Sequence, residues 1–96
     1  MRPSEALAKH RDEVLAILAR YPVSNPRIFG SVARGEDTED SDLDLLVHPK
    51  AGTSYFELAR LADELNQLLG CHVDLGEDDS LRPHAAPSIL QHLRPL

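Results

Sequence analysis

Several kinds of residue are scarce in this chain. Among 96 residues there is one cysteine, Cys71, one methionine and no tryptophan, and aromatic residues make up 4%. A lone cysteine excludes an internal disulfide and suits a reducing compartment. Cys71 reads as a small packing residue rather than a reactive thiol. So few aromatics argue against the stacking platforms of single-strand nucleic-acid binders. No run of about 18 apolar residues occurs, so no transmembrane helix is expected. The opening "MRPSEALAKHRDEV" has no apolar stretch of the signal-peptide type, and the expected location is the cytoplasm. Positive charge is also short: 10 Lys and Arg against 16 Asp and Glu leave a net charge of −6. Direct nucleic-acid binding, which needs a basic face to release counterions, is therefore not expected. An acidic chain can still take a nucleotide when a divalent cation mediates.

What is present is a regular alternation of elements. "PSEALAKHRDEVLAILARY" carries Leu7, Val14, Leu15 and Leu18 at helical spacing and predicts one helix. Pro22 and Pro26 end it and lead into a short strand, "RIF", which Gly30 breaks. "SVARG" predicts one helical turn, "EDTED" a loop and "SDLDLLVH" a second strand. After "PKAGT", Ser54 and Glu57 have capping-box spacing. A stripe of Leu58, Leu61, Leu65, Leu68 and Leu69 then predicts an amphipathic helix ending at Gly70. "CHVDLG" predicts a third strand, "EDDSLRPHAAP" a polar connection and "SILQHL" a short final helix. The order describes one domain over residues 1–96, a small β-sheet with helices packed on it, of α/β or α+β class.

The second strand poses a chemical question. Side chains alternate, so Leu43, Leu45 and Val47 point one way while Asp42, Asp44 and Leu46 point the other. Two carboxylates about 6–7 Å apart at the backbone repel by about 2–3 kcal/mol at an effective dielectric near 20. A hard cation such as Mg²⁺ reverses the sign of that interaction. Taken alone, D-x-D is common, and Asp42 could simply close a solvated loop. Its context adds weight: Gly30-Ser31 follows a strand directly, offering close backbone approach and donors for a phosphate. Asp74, in the apolar run "HVDL", is costly unless paired or bound to metal. If the third strand lies beside the second, Asp74 joins Asp42 and Asp44. A phosphate cradle beside three carboxylates is the equipment of metal-assisted phosphoryl or nucleotidyl transfer.

"GSVARG" followed by "SDLDLLV", with a later "VDL", resembles the minimal nucleotidyltransferases (MNT) of the DNA polymerase β-like superfamily. The motif falls in the middle third of the chain, and the flanking helices agree in type and order. The resemblance implies a nucleotidyltransferase core with a small mixed sheet. It implies ATP as substrate, with Gly30 and Ser31 on the triphosphate and Asp42, Asp44 and Asp74 on Mg²⁺, as two ions. Asp74 would also help deprotonate the attacking hydroxyl. Arg34 matches the family's arginine, which steadies the phosphate or the turn; a salt bridge to "EDTED" is an equal alternative.

The resemblance extends to the antitoxin half of MNT–HEPN toxin–antitoxin pairs. It implies AMP transfer from ATP to a tyrosine of a HEPN ribonuclease partner. The elements assigned leave no acceptor domain, so the hydroxyl is expected on another molecule, and an acidic surface suits a more basic partner. The alternative is a non-catalytic antitoxin that neutralises its partner by direct binding. Transfer to a small hydroxylated molecule is disfavoured by the missing acceptor domain. A Ca²⁺ site of EF-hand type is disfavoured because "EDTEDSDLD" lacks the Gly and terminal Glu at the required spacing. The histidines carry no assignment: His10 and His92 fall on helix surfaces, His48 ends a strand, His84 sits among prolines, and His72 neighbours Asp74.

Overall fold

The computed structural model describes residues 1–78 and 92–96. Two helices, α1 (Pro3–Lys9) and α2 (Arg11–Leu18), form where the periodicity predicts one. The break is at His10, whose φ of −112° and ψ of 21° leave helical geometry. Its backbone still bridges the two helices, donating to the Ala6 carbonyl and accepting from the Val14 N–H. The kink lets Ala6 and Leu7 of one helix and Val14 and Leu18 of the other reach the same core.

Strand β1 (Val23–Phe29) is longer than "RIF" because an irregularity between Ser24 and Arg27 absorbs Pro26, with Asn25 at a φ of 52°. Proline lacks a ladder donor and is tolerated at such bulges; its carbonyl accepts from the Leu96 N–H. The turn α3 (Gly30–Arg34) follows without a connecting residue. Strand β2 (Leu43–Pro49) pairs antiparallel with β1, bringing Asp44 opposite Phe29. Asp42 therefore flanks β2 rather than lying within it.

Helix α4 (Tyr55–Leu69) has the ends its sequence predicts. Ser54 accepts from the Glu57 N–H, and Gly70 adopts the left-handed conformation that closes the last turn. It buries Leu58, Leu61, Leu65 and Leu69, while Leu68 packs against the core only partly covered. Full burial of a leucine such as Leu61 or Leu65 is worth about 1.5–3 kcal/mol. The helix carries the chain to β3 (Val73–Glu77), which pairs parallel with β2. A two-residue strand, β4 (Arg94–Pro95), pairs with β1 and completes a mixed sheet of order β3-β2-β1-β4. The expected final helix "SILQHL" lies outside the described residues at 88–91. His92 and Leu93 are non-helical and lead into β4, which no local signal predicts. His84 also lies outside the described residues. Among the described residues no helix is long and apolar enough to cross a membrane.

The two faces of β2 differ from the simple alternation in one respect. Leu43, Leu45 and Val47 enter the core, but Leu46, on the carboxylate face, is fully buried as well. Its neighbours in register are Arg27 on β1 and Gly76 on β3. Arg27 reaches across β2 to Asp78 at 2.7 Å, and His48 meets the other oxygen of that carboxylate at 2.9 Å. The strap lies on the Leu46 side of the strand, and Asp44, two residues before Leu46 on the same face, stays partly exposed.

Candidate functional site

The site is built at the end of the sheet where β1 finishes and β2 begins. Because Phe29 pairs with Asp44, the next residue, Gly30, comes to lie against the Asp44 side chain. A Cβ on Gly30 would stand 2.0 Å from Asp44 Oδ2, and the residue has a φ of 70°. Only glycine satisfies both conditions. The Ser31 hydroxyl begins the turn with no hydrogen-bond partner among the described residues, while the Ser31 carbonyl accepts from the Glu36 N–H.

The parallel register of β2 and β3 sets Asp44 directly beside Asp74. The condition on which Asp74 could join the cluster is thus met, and Asp74 is exposed rather than turned into the core. Partial burial pushes the Asp44 carboxyl above the usual carboxylate range. The charges of Asp74 and Asp42 push it the same way, as does a hydrogen bond to Asp74, and Arg34 pulls against them. Asp42 is about half exposed, with His72 Nδ1 3.6 Å from its Oδ2. Cys71 packs against the core; burial and the Asp42 charge push its thiol up, consistent with an unreactive packing residue.

Arg34 makes the ion pair that was one of its two readings, Nε to Glu36 Oε2 at 3.2 Å, and both side chains remain well exposed. It is also close enough to Asp44 for its charge to be felt there. The two readings are therefore compatible, since an exposed ion pair of this kind is worth about 0–1 kcal/mol and gives way to a stronger anion.

As the side chains stand, no three of His, Cys, Asp and Glu among the described residues form a ready ligand set for one ion. The chemistry of the donors nevertheless fits a hard divalent cation. Asp42, Asp44 and Asp74 are oxygen donors; burial, and after it the charges of Asp74 and Asp42, raise the Asp44 carboxyl, and the gathered negative charge is what such a cation neutralises.

One residue of the site region escapes sequence reasoning. Asp37, inside the acidic loop, is buried and accepts from the Ser4 N–H of α1 at 2.9 Å. Burial works to raise its carboxyl, but the bonds from Ser4 outweigh it and leave it below the usual range. The loop is closed further on by Thr38 N–H donating to Ser41 Oγ at 2.9 Å and Ser41 N–H donating to the Thr38 carbonyl. Together these bonds fix the path from the Gly30 turn to Asp42.

Comparison with known proteins agrees with this geometry. The nucleotidyltransferase domain family matches residues 7–96. Protein adenylyltransferase MntA of Thermococcus cleftensis is 36% identical over 87 residues, 91% of this chain and 85% of that protein. A solved minimal nucleotidyltransferase superposes with a TM-score of 0.84 at 43% identity, covering 97% of this chain and 95% of its own. The fold also matches, at 17% identity and a TM-score of 0.69, a complex of a tri-AMPylated HEPN toxin with an MNT antitoxin from Shewanella oneidensis. That match covers 92% of this chain and 69% of the other. A glycine pressed on one carboxylate, a second carboxylate in register beside it, and relatedness over nearly the whole length lead to one conclusion: the chain belongs to the nucleotidyltransferase domain family, as a minimal nucleotidyltransferase, an enzyme that transfers nucleotides.

Proposed function

We propose that this enzyme moves AMP from ATP to a tyrosine hydroxyl of a HEPN-type toxin and thereby acts as its antitoxin. The observation that carries the reading is the contact of Gly30 with Asp44, which unites a phosphate-accepting turn and the carboxylates in one place. Relatives with protein adenylyltransferase activity in their names and a fold match to an AMPylated HEPN complex support the choice of acceptor.

The Gly30-Ser31 turn and Arg34 bind and orient the triphosphate. Asp42, Asp44 and Asp74 would hold Mg²⁺, as two ions, which supplies charge neutralisation at the α-phosphate and acidifies the incoming hydroxyl. Asp74, exposed beside Asp44, is the carboxylate that takes the phenolic proton. The tyrosine oxygen bonds to the α-phosphorus as the bond from that phosphorus to the β-phosphate oxygen breaks, and pyrophosphate leaves. The chain's contribution is mainly positioning and electrostatic.

The test is labelling of the purified partner with ATP carrying a labelled α-phosphate. Asp44→Asn should reduce incorporation about a thousandfold or more while circular dichroism stays unchanged. Undiminished labelling would overturn the assignment. Loss of labelling with full neutralisation of the partner at one-to-one ratio would favour direct binding instead.

A further inference from the structure

Asp37 is the one charged side chain among the described residues that is buried, at 5% exposure, and it lies in the loop joining α3 to β2. Burying a carboxylate is costly unless donors compensate it. Here they come from a distant element, with the Ser4 N–H of α1 meeting Asp37 Oδ2 at 2.9 Å. Burial opposes the Asp37 charge, but the Ser4 N–H, the Ser4 hydroxyl, the backbone of Asp37 itself and the Arg2 charge outweigh it. The anchor is firm, because Pro3, Ala6 and Leu7 of α1 are buried, the last two in the main core.

Asp42 needs such an anchor. It flanks β2, and the strand begins only at Leu43, whose N–H donates to the His72 carbonyl at 2.9 Å. On the other side, the Gly35 and Glu36 N–H groups tie the loop to α3, donating to the Val32 and Ser31 carbonyls at 3.1 and 2.9 Å. Asp37 then ties it to α1, and the Thr38–Ser41 turn leads straight to Asp42. Asp37 is thus the last buried tie to another element before Asp42. We propose that Asp37 is a positioning residue, which carries the hold of α1 into the loop and sets where Asp42 stands beside Asp44 and Asp74. This rests on the proposed role of those three carboxylates in holding a divalent cation. A residue that merely capped α1 would support stability and leave the cation indifferent.

Two measurements on the wild type, Asp37→Ala, Asp37→Asn and Asp78→Asn test this: amide hydrogen exchange, and titration with Mn²⁺ followed by the paramagnetic resonance of the free ion. Asp78→Asn is the control, since it removes a carboxylate paired with His48 and Arg27 rather than one in the loop. Asp37→Ala should speed exchange at Thr38 and Ser41 more than at Leu61 and Leu65, whose amides report opening of the core. It should also bind Mn²⁺ about tenfold more weakly, while Asp78→Asn binds it like the wild type. Asp37→Asn keeps one acceptor for Ser4 and should fall between, roughly threefold weaker than the wild type. Equal Mn²⁺ affinity in the wild type and both Asp37 variants, or an equal loss in Asp78→Asn, would overturn the inference. So would loop amides that quicken no more than those of Leu61 and Leu65. Wild-type protein that takes no Mn²⁺ would overturn the cation assignment, while selective quickening of the loop amides would still sustain the hold of Asp37 on Asp42.

Discussion

Asp44 and Asp78 occupy the same side of one small sheet, both partly buried, and their carboxyls are shifted in opposite directions. Asp78 is saturated with donors. Burial alone would raise its carboxyl, but the bonds from Arg27 and His48 bring it below the usual range. Asp44 is raised first by burial and then by the charges of Asp74 and Asp42, with Arg34 pulling against them. The first arrangement is what a protein does with a carboxylate that holds strands together. The second stores repulsion that the fold itself does not relieve, and it coincides with the one place where a glycine clears space beside the acid. Like-charged crowding and a missing Cβ at one point distinguish the surroundings of Asp44 from a structural ion pair.

That contrast can be strained at three points. The largest effect on stability is expected from Gly30→Ala, which combines a left-handed backbone with overlap onto the Asp44 carboxyl. Chemical denaturation should register a loss of about 2–3 kcal/mol. A loss no greater than for Gly70→Ala, whose φ is similar but whose surroundings are open, would show that the contact with Asp44 is unimportant.

Next is Asp78→Asn, which leaves the largely buried Arg27 without its counter-charge. A cost of about 2 kcal/mol is expected, with Asp42, Asp44 and Asp74 untouched. The smallest effect belongs to Asp44→Asn. Removing a repelled charge should leave stability unchanged or raise the melting temperature slightly at neutral pH in the presence of a chelator.

Acid melts then separate the two carboxylates by sign. Asp78 has a depressed value in the fold, so its contribution is present above the ordinary carboxylate value, about 3.9, and is lost as pH falls through its folded value. Asp44 has a raised value, so the stability it permits is full below about 3.9 and declines as pH rises through its folded value. The gap between wild type and Asp44→Asn should therefore close in acid, while the gap between wild type and Asp78→Asn closes only at lower pH. The same ordering for both variants would mean that the two carboxyls are not shifted in opposite directions.

Much of this was legible from local pattern. Alternation in "SDLDLLV" separates the core-facing leucines from Asp44, and the Ser54 and Gly70 signals bound α4, because caps and alternation depend on residues close in sequence. The kink at His10, the bulge at Pro26 and the pairing of β4 were not legible, since each is settled by what distant segments pack against it. The same holds for side chains. Ser4 meets Asp37 33 residues away and Arg27 meets Asp78 51 residues away, and neither pair leaves a mark in either neighbourhood. The burial of Leu46, on the face that alternation assigns to the carboxylates, was likewise unpredictable from its own strand.

The parallel pairing of β2 with β3 has a kinetic consequence. Asp44 and Asp74 cannot meet until helix α4 has carried the chain back, thirty residues further on, and closures of that length come late in folding. The crowding of charge is then absent from the early encounters of the chain and felt mainly near the native basin. Neutralising it should slow the rate at which the finished molecule opens and leave the rate at which it first assembles nearly unaltered.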